Sequence, residues 1–139
     1  MKRGVFLAAI LAILWVVPAA AHHSFAAEFD AQKAVTLKGT VVKWEMINPH
    51  GWITMDVTGQ DGKTLQWMVE TSNPNGLMRL GWTKRTLKPG DEITIEGFRA
   101  KDGSNTANAA RVTLADGRQV FAGSSGTPPP TTDTLPKEK

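Results

Sequence analysis

The sequence predicts a mainly β fold that contains one short helix. Segments rich in β-branched and aromatic residues recur at short intervals, and turn sequences such as Asp61-Gly62 separate them. A single helix-start signal, Ser72-Asn73-Pro74, interrupts this series. The 139 residues include no cysteine, which excludes disulfides, thiolate metal sites and cysteine nucleophiles. We therefore expect one domain, held together by core packing or by a metal with nitrogen and oxygen ligands.

Three antiparallel strands are predicted before the helix, at residues 35–47, 52–58 and 64–71. The alternation of polar and apolar residues slips within the first strand, near Gly39 or Val41-Val42, so we expect a bulge or bend there. The turn between the first two strands has the composition Asn48-Pro49-His50-Gly51. Together the three strands should form a meander.

The helix should place Leu77, Met78 and Leu80 against the sheet and end at Gly81. Strands at residues 92–98 and 109–114 follow, with a short return strand at 118–121. This order is typical of a small OB-like five-stranded barrel with one short helix between strands 3 and 4, and another small barrel or an open sandwich is the alternative. The expected interior comprises Trp44, Trp67, Ile93, Ile95, Val112 and Leu114.

The first 21 residues have the pattern of a secretory signal peptide. Lys2 and Arg3 precede an apolar run at residues 5–17, and small residues at 19–21 follow Pro18. A retained membrane anchor is the alternative, although a spanning helix needs about 20 apolar residues. Cleavage after Ala21 predicts a periplasmic or secreted protein with a β domain at 22–121 and no remaining membrane span. Residues 122–139, rich in Pro, Thr, Gly and Ser, are expected to be a disordered tail.

Processing also changes the charge of the protein. The full chain has a formal net charge of +3, but loss of Lys2 and Arg3 leaves 14 basic against 13 acidic residues. Nucleic acid is therefore not an expected partner. The sequence contains no G-x-S-x-G, phosphate-loop or H-E-x-x-H motif, and no catalytic residue is predicted. We expect a binding module rather than an enzyme, with a small copper oxidase as the alternative.

The histidines are the candidate metal ligands. Cleavage at the predicted site would make His22 the first residue and His23 the second. The free α-amine and the two imidazoles would then offer the nitrogen donors that Cu(II) prefers, and Ni(II) and Zn(II) are further candidates. His50 would complete the site if the N-terminal arm folds back onto its turn. Glu28 and Asp30 are near enough to act as oxygen ligands or as hydrogen-bond acceptors.

Each of these features also has a simpler interpretation. The histidine pair could be no more than a polar start to the mature chain with incidental Cu(II) affinity, and His50 could serve its turn alone. Trp52 and Trp82 could form an aromatic ligand-binding face beside the polar loop at 101–108, or could simply pack in the interior.

The chain resembles a family of small exported bacterial proteins of unknown function, whose members start with His-His-Ser-Phe directly after a signal peptide. The resemblance extends over residues 22–121. It is carried by His22-His23-Ser24-Phe25, Phe29-Asp30, Gly39-Thr40-Val41, Asn48-Pro49-His50, the strand of Trp67, Gly81-Trp82-Thr83, Leu87-Lys88-Pro89-Gly90-Asp91, Asp102-Gly103-Ser104 and Asp116-Gly117-Arg118. It implies a single exported β domain and no assigned reaction.

Two functions follow as expectations. The first is an exported module that binds copper or another transition metal through His22, His23 and His50. The second is a metal-independent module of the cell envelope that binds a ligand or a protein through its open barrel face.

Overall fold

The computed structural model describes residues 25–129, and in this part the chain is mainly β, as the sequence predicts. The predicted signal peptide, His22, His23 and residues 130–139 lie outside the described residues. Between residues 25 and 129, no helix is long and apolar enough to cross a membrane. The elements in chain order are α1 (Phe25–Glu28), β1 (Phe29–Met46), β2 (Gly51–Thr58), β3 (Thr64–Glu70), α2 (Pro74–Arg79), β4 (Glu92–Ala100), β5 (Thr106–Thr113) and β6 (Gln119–Phe121).

The strands form one sheet in the order β3-β2-β1-β4-β5-β6. Each neighbouring pair in this order is antiparallel. An additional pairing, which is parallel, joins the end of β3 to the start of β5 and sets Glu70 beside Asn108. Because β3 is hydrogen-bonded to β2 on one side and to β5 on the other, the series of paired strands returns on itself.

Strand β1 is longer than predicted, since it begins at Phe29 instead of residue 35. Its first part pairs with β4, its second part pairs with β2, and Thr40 pairs with both. The extension was not evident from the sequence because residues 30–34 are polar or small, largely exposed and without alternation. The predicted bulge is confirmed by a shift of register with β2 between Val41 and Lys43.

The core lies between the inward faces of these strands. Trp67, Ile93, Ile95 and Val112 are buried there as predicted, whereas Trp44 and Leu114 are only partly buried and pack against its margin. Strands β4 and β5 approach closely at Gly97, where a Cβ atom would lie 2.1 Å from the backbone oxygen of Asn108. The absence of a side chain at Gly97 is therefore what allows this contact.

Helix α2 begins as the sequence indicates but buries less than expected. The Asn73 side chain accepts a hydrogen bond from Gly76 N (2.8 Å) at the N-cap, and Gly81 takes a φ of +87° just beyond the helix. Leu77 is fully buried, but the prediction for Met78 and Leu80 is wrong, because both are about half exposed. Met78 lies about 100° around the helix from Leu77, and Leu80 lies at the C-cap, outside the helix.

The domain extends further toward the C-terminus than the boundary expected at residue 122. Ala122 is fully buried, its N–H donates to Ala110 O (3.1 Å), and its carbonyl accepts from Ser72 N (2.7 Å). Thr127 Oγ1 donates to Asn108 Oδ1 (2.7 Å). The small and hydroxyl-bearing side chains of this segment are typical of a disordered tail, but at residues 122–127 the segment is hydrogen-bonded to the domain.

Candidate functional site

Two terminal segments, α1 and residues 122–127, cover one outer part of the sheet. On β5, Ala107 and Ala109 face the main core, so Ala110 faces the opposite side, where it packs in a second apolar cluster with Phe25, Phe29, Phe98 and Ala100. The Phe25 ring contacts Phe29 and Phe98 at centroid distances of 5.7 and 5.4 Å. This cluster anchors the chain two residues after the histidine pair.

The N-terminal anchor also adjoins the C-terminal segment. A Cβ atom on Gly126 would lie 3.6 Å from the Cβ atom of Phe25, an ordinary van der Waals distance. Gly126 itself has a φ of +89°, which glycine adopts without strain, so the turn at this point brings the segment against the arm. The arm and the C-terminal segment therefore form one layer on the outside of the sheet.

Beneath this layer lies a buried polar network centred on Asn108, which has no exposed surface. Its Nδ2 atom donates to Glu70 Oε1 (3.2 Å) and to Ser124 Oγ (3.1 Å), while its Oδ1 atom accepts from Thr127 Oγ1 (2.7 Å). Glu70 is 6% exposed. A buried carboxylate costs free energy unless it is hydrogen-bonded. The hydrogen bond from the Asn108 amide offsets part of this cost.

His50 faces the same carboxylate from the turn between β1 and β2. Its side chain is 20% exposed, and its Nδ1 atom lies 3.6 Å from Glu70 Oε1. That nitrogen is buried and has no hydrogen-bond partner among residues 25–129. A small rotation of the ring would let Nδ1–H donate to Glu70 and would leave Nε2 as the free electron-pair donor, which is the usual arrangement of a metal-ligating histidine.

The turn that carries His50 is held firmly by its neighbours. Gly51 N donates to Ser72 O (3.0 Å), and Thr71 N donates to Gly51 O (2.8 Å). A Cβ atom on Gly51 would approach Thr71 Oγ1 to 2.5 Å, so a larger residue would displace the turn. The Asn48-Pro49 peptide bond within it is cis. The imidazole is thus presented from a well-defined backbone.

An open cleft of about 360 Å³ lies near this network. Trp52, which is partly buried, contributes one wall, and it pairs with Glu70 across β2 and β3. The remaining polar walls come from α1 and from the loop after β4: Glu28, Lys101, Asp102, Ser104 and Thr106. The cleft therefore joins Trp52 to residues 101–106. The predicted loop is shorter than expected, because Ala107 and Asn108 are buried in β5.

The loop that borders the cleft is fixed by short contacts. Arg99 Nη2 donates to Gly103 O (2.8 Å), and its guanidinium lies 5.4 Å from the centre of the Trp67 ring. Lys101 Nζ donates to Ala26 O (2.5 Å), which ties the loop to α1. Hydrogen bonds from the hydroxyl and the backbone N–H of Ser104, with a smaller contribution from the charge of Arg99, hold the pKa of Asp102 below its ordinary value.

The structure separates several residues that the sequence analysis grouped. Trp82 is 2% exposed and packs against Trp44 at a centroid distance of 5.3 Å, so it forms no common face with Trp52. Asp30 accepts from Gln32 N (2.9 Å) and lies 3.7 Å from Lys33 Nζ, within its own strand. Glu28 lines the Trp52 cleft.

Of the three predicted metal ligands, the described part of the chain contains His50 alone. Between residues 25 and 129, no group of three or more His, Cys, Asp or Glu side chains is arranged to hold a metal ion. A complete site would therefore need donors from outside this range, and His22 and His23 are the predicted ones.

Sequence reasoning missed the partners of His50. Glu70 was foreseeable as a carboxylate on a strand, but not as a neighbour of His50. Asn108 reaches Glu70 only through the parallel pairing of β3 with β5, which the sequence did not indicate. The one local signal was that Glu70 directly follows the inward-facing Val69, which places it on the outer face.

Comparison with protein families places the chain in one of them. The sequence model of a protein family described as a family of unknown function (DUF6152) matches residues 11–109, which is most of the chain. No curated protein matches the sequence.

Proposed function

Because the chain belongs to DUF6152, a family of unknown function, we propose a function from its own residues. It is an exported binding module, periplasmic or secreted, that holds copper or another transition-metal ion with the mature N-terminal residues His22 and His23 and with His50. The domain that carries the site is an OB-like barrel.

The strand pairings support the barrel. The antiparallel pairs β3–β2, β2–β1, β1–β4 and β4–β5, together with the parallel β3–β5 pair, connect five strands in a ring. A five-stranded, partly open Greek-key barrel is the OB-type architecture. The position of α2 between β3 and β4 agrees with that architecture.

The observation that carries the metal proposal is a series of contacts that links His50 to the N-terminal arm. His50 faces Glu70, Glu70 is bonded to Asn108, and Asn108 is bonded to Thr127. Thr127 adjoins Gly126, whose α-carbon lies against Phe25, two residues after His23. His22 and His23 are thus attached in the chain to the segment at one end of this series of contacts, and His50 stands at its other end.

The donor chemistry supports the same site. An α-amine and imidazoles are nitrogen donors, which suit Cu(II) in preference to Ca²⁺ or Mg²⁺. Glu70 would orient His50 by accepting its second ring proton, and this kind of carboxylate strengthens the imidazole as a ligand. Asn108 in turn fixes Glu70. The buried network is therefore interpreted as the support of one metal-binding imidazole.

Calorimetric titration of the processed protein with Cu(II) tests the proposal. His22→Ala, His50→Gln and acetylation of the α-amine of His22 should each lower the affinity by about tenfold or more, because each removes a donor. Glu70→Gln should lower it by about 10- to 100-fold through loss of orientation. Asn48→Ala, in the same turn as His50, is the matched control and should leave the affinity unchanged.

Affinity for Cu(II) that is insensitive to acetylation of the α-amine, to His22→Ala and to His50→Gln would overturn the metal proposal. Circular dichroism of each variant distinguishes loss of a ligand from loss of the fold.

The Trp52 cleft favours a second candidate, a metal-independent module that binds an envelope ligand or protein. The aromatic wall of Trp52 and the polar residues between 101 and 106 offer stacking and hydrogen bonds in one open cleft. Under this candidate the histidine substitutions leave binding of the ligand unaffected, whereas under the metal proposal each of them weakens binding of the ion.

A further inference from the structure

Large apolar side chains are exposed around helix α2 and the end of β1. Ile47 and Leu80 are 50% exposed, and Met78 is 55% exposed. Met78 also lines an open groove of about 440 Å³, together with Met46, Pro74 and the buried Trp82. Ile47 directly follows Met46 in the chain. Leu80 likewise directly precedes the groove residue Gly81, so all three exposed side chains line the groove or adjoin one of its residues in the chain. Such a group points to a contact surface, because scattered single ones would need no explanation.

The same region carries an unusual charge distribution. The chain has no acidic residue between Glu70 and Asp91, and four basic residues lie in this interval. They are all exposed: Arg79, Lys84, Arg85 and Lys88. Lys84 lines the apolar groove itself. Elsewhere on the domain, Lys33, Lys63 and Arg118 each lie within 4 Å of a nearby aspartate, so their charge is balanced locally.

We propose that this surface, defined as Ile47 together with residues 78–88, binds the face of a phospholipid bilayer that contains anionic headgroups. Apolar side chains that project among Lys and Arg are the pattern of segments that lie in a membrane interface. The basic residues attract the anionic headgroups, while Ile47, Met78 and Leu80 enter the boundary between headgroups and acyl chains. The domain lies on the bilayer and does not cross it.

A bilayer suits these residues better than an acidic protein does. Met78, Leu80 and Ile47 are long or branched side chains, and a bilayer receives such side chains without requiring a complementary rigid shape. Binding to the membrane is independent of the metal proposal, because none of the residues on this surface belongs to the histidine network.

Sedimentation with lipid vesicles tests the inference on the processed full-length protein. We expect binding to vesicles made of equal parts phosphatidylglycerol and phosphatidylcholine, and little binding to phosphatidylcholine alone. Each basic residue close to an anionic surface strengthens binding by about fivefold. The triple variant Arg79→Gln, Lys84→Gln, Arg85→Gln should therefore bind about a hundredfold more weakly, and raised salt should weaken the wild type in the same direction.

Two further variants complete the design. The control is a second triple variant, Lys33→Gln, Lys63→Gln, Arg118→Gln. It removes the same net charge from positions that are paired locally, and it should retain most of the binding to vesicles. The double variant Met78→Ser, Leu80→Ser leaves the net charge unchanged. It should weaken binding to vesicles at least tenfold, because it removes the apolar contact. Both positions are exposed, so the fold should persist, which a thermal melt checks.

Equal binding to the two vesicle types, or equal losses in the test and control triple variants, would overturn the proposal. Binding to an acidic protein or to monomeric decanoate without binding to anionic vesicles would overturn it as well.

Discussion

The two regions treated above depart from the usual distribution of side chains in opposite ways. In the His50 region, polar groups are buried: Glu70 and Asn108 lie under the terminal segments and bond to each other. In the α2 region, apolar groups are exposed: Met78 and Leu80 project from the surface beside basic residues. Buried polar groups and exposed apolar groups are the informative exceptions in a folded protein. The two regions share none of these residues, so recognition of an ion and contact with a large surface can be tested independently.

The largest expected contrast lies within α2, between neighbouring residues. Leu77→Ala should lower the free energy of unfolding by about 2–5 kcal/mol, since Leu77 is fully buried. Met78→Ala should change it by no more than about 0.5 kcal/mol, because the side chain is mainly exposed. Urea denaturation of the two variants measures both values. Comparable losses would show that Met78 is held by the fold, and the α2 surface would then not be available for binding.

A somewhat smaller effect is expected in the buried network. Asn108→Ala removes donors to Glu70 and Ser124 and the acceptor for Thr127, so the free energy of unfolding should fall by about 2–3 kcal/mol. Asn105→Ala is a suitable control, since its backbone oxygen, which accepts from Met68 N, remains. Denaturation of both variants measures the difference. If Asn108→Ala proved as mild as the control, the network would not be a stabilising support for His50.

The smallest effect concerns Asp102, on the loop beside the cleft. Folding lowers its pKa from the ordinary value of 3.8, mainly through the Ser104 hydroxyl. Its contribution to stability is therefore complete above that value and is lost as the pH falls through the lower pKa of the folded protein. The difference in unfolding midpoint between the wild type and Asp102→Asn should be constant from about pH 5 to 7 and should shrink below about pH 4. A difference that grew on acidification would contradict the role of Ser104.

The local parts of the fold could be predicted from the sequence. The Asn73 cap, the glycine that ends α2 and the bulge after Val41 each depend on a few adjacent residues, and the structure contains all three. The start of β1 could not be predicted, because residues 30–34 show no alternation and form a strand by pairing with distant β4. Likewise Ala122 is small and unremarkable in sequence, and its burial depends on Ala110 and Ser72.

The candidate site was predictable to a similar extent. His50 and Trp52 stand out as residue types next to a turn, and the structure places them beside a buried network and along a cleft. The links from Glu70 to Asn108 and from Asn108 to Thr127 join residues 38 and 19 positions apart. Such contacts follow from the parallel pairing of β3 with β5, which no local pattern specifies.

The proximity of Phe25 to Gly126 has a use in protein engineering. Since Phe25 and Gly126 adjoin in one layer, the C-terminal segment could be joined through a linker to the amine of His22, and new ends could be opened at the exposed Asp61-Gly62 hairpin. Such a circular permutant would preserve the strand pairings while converting the amine of His22 into an ordinary amide. Comparing the ion affinity of the permutant with that of the original chain would therefore isolate the contribution of the free amino group from that of the folded domain.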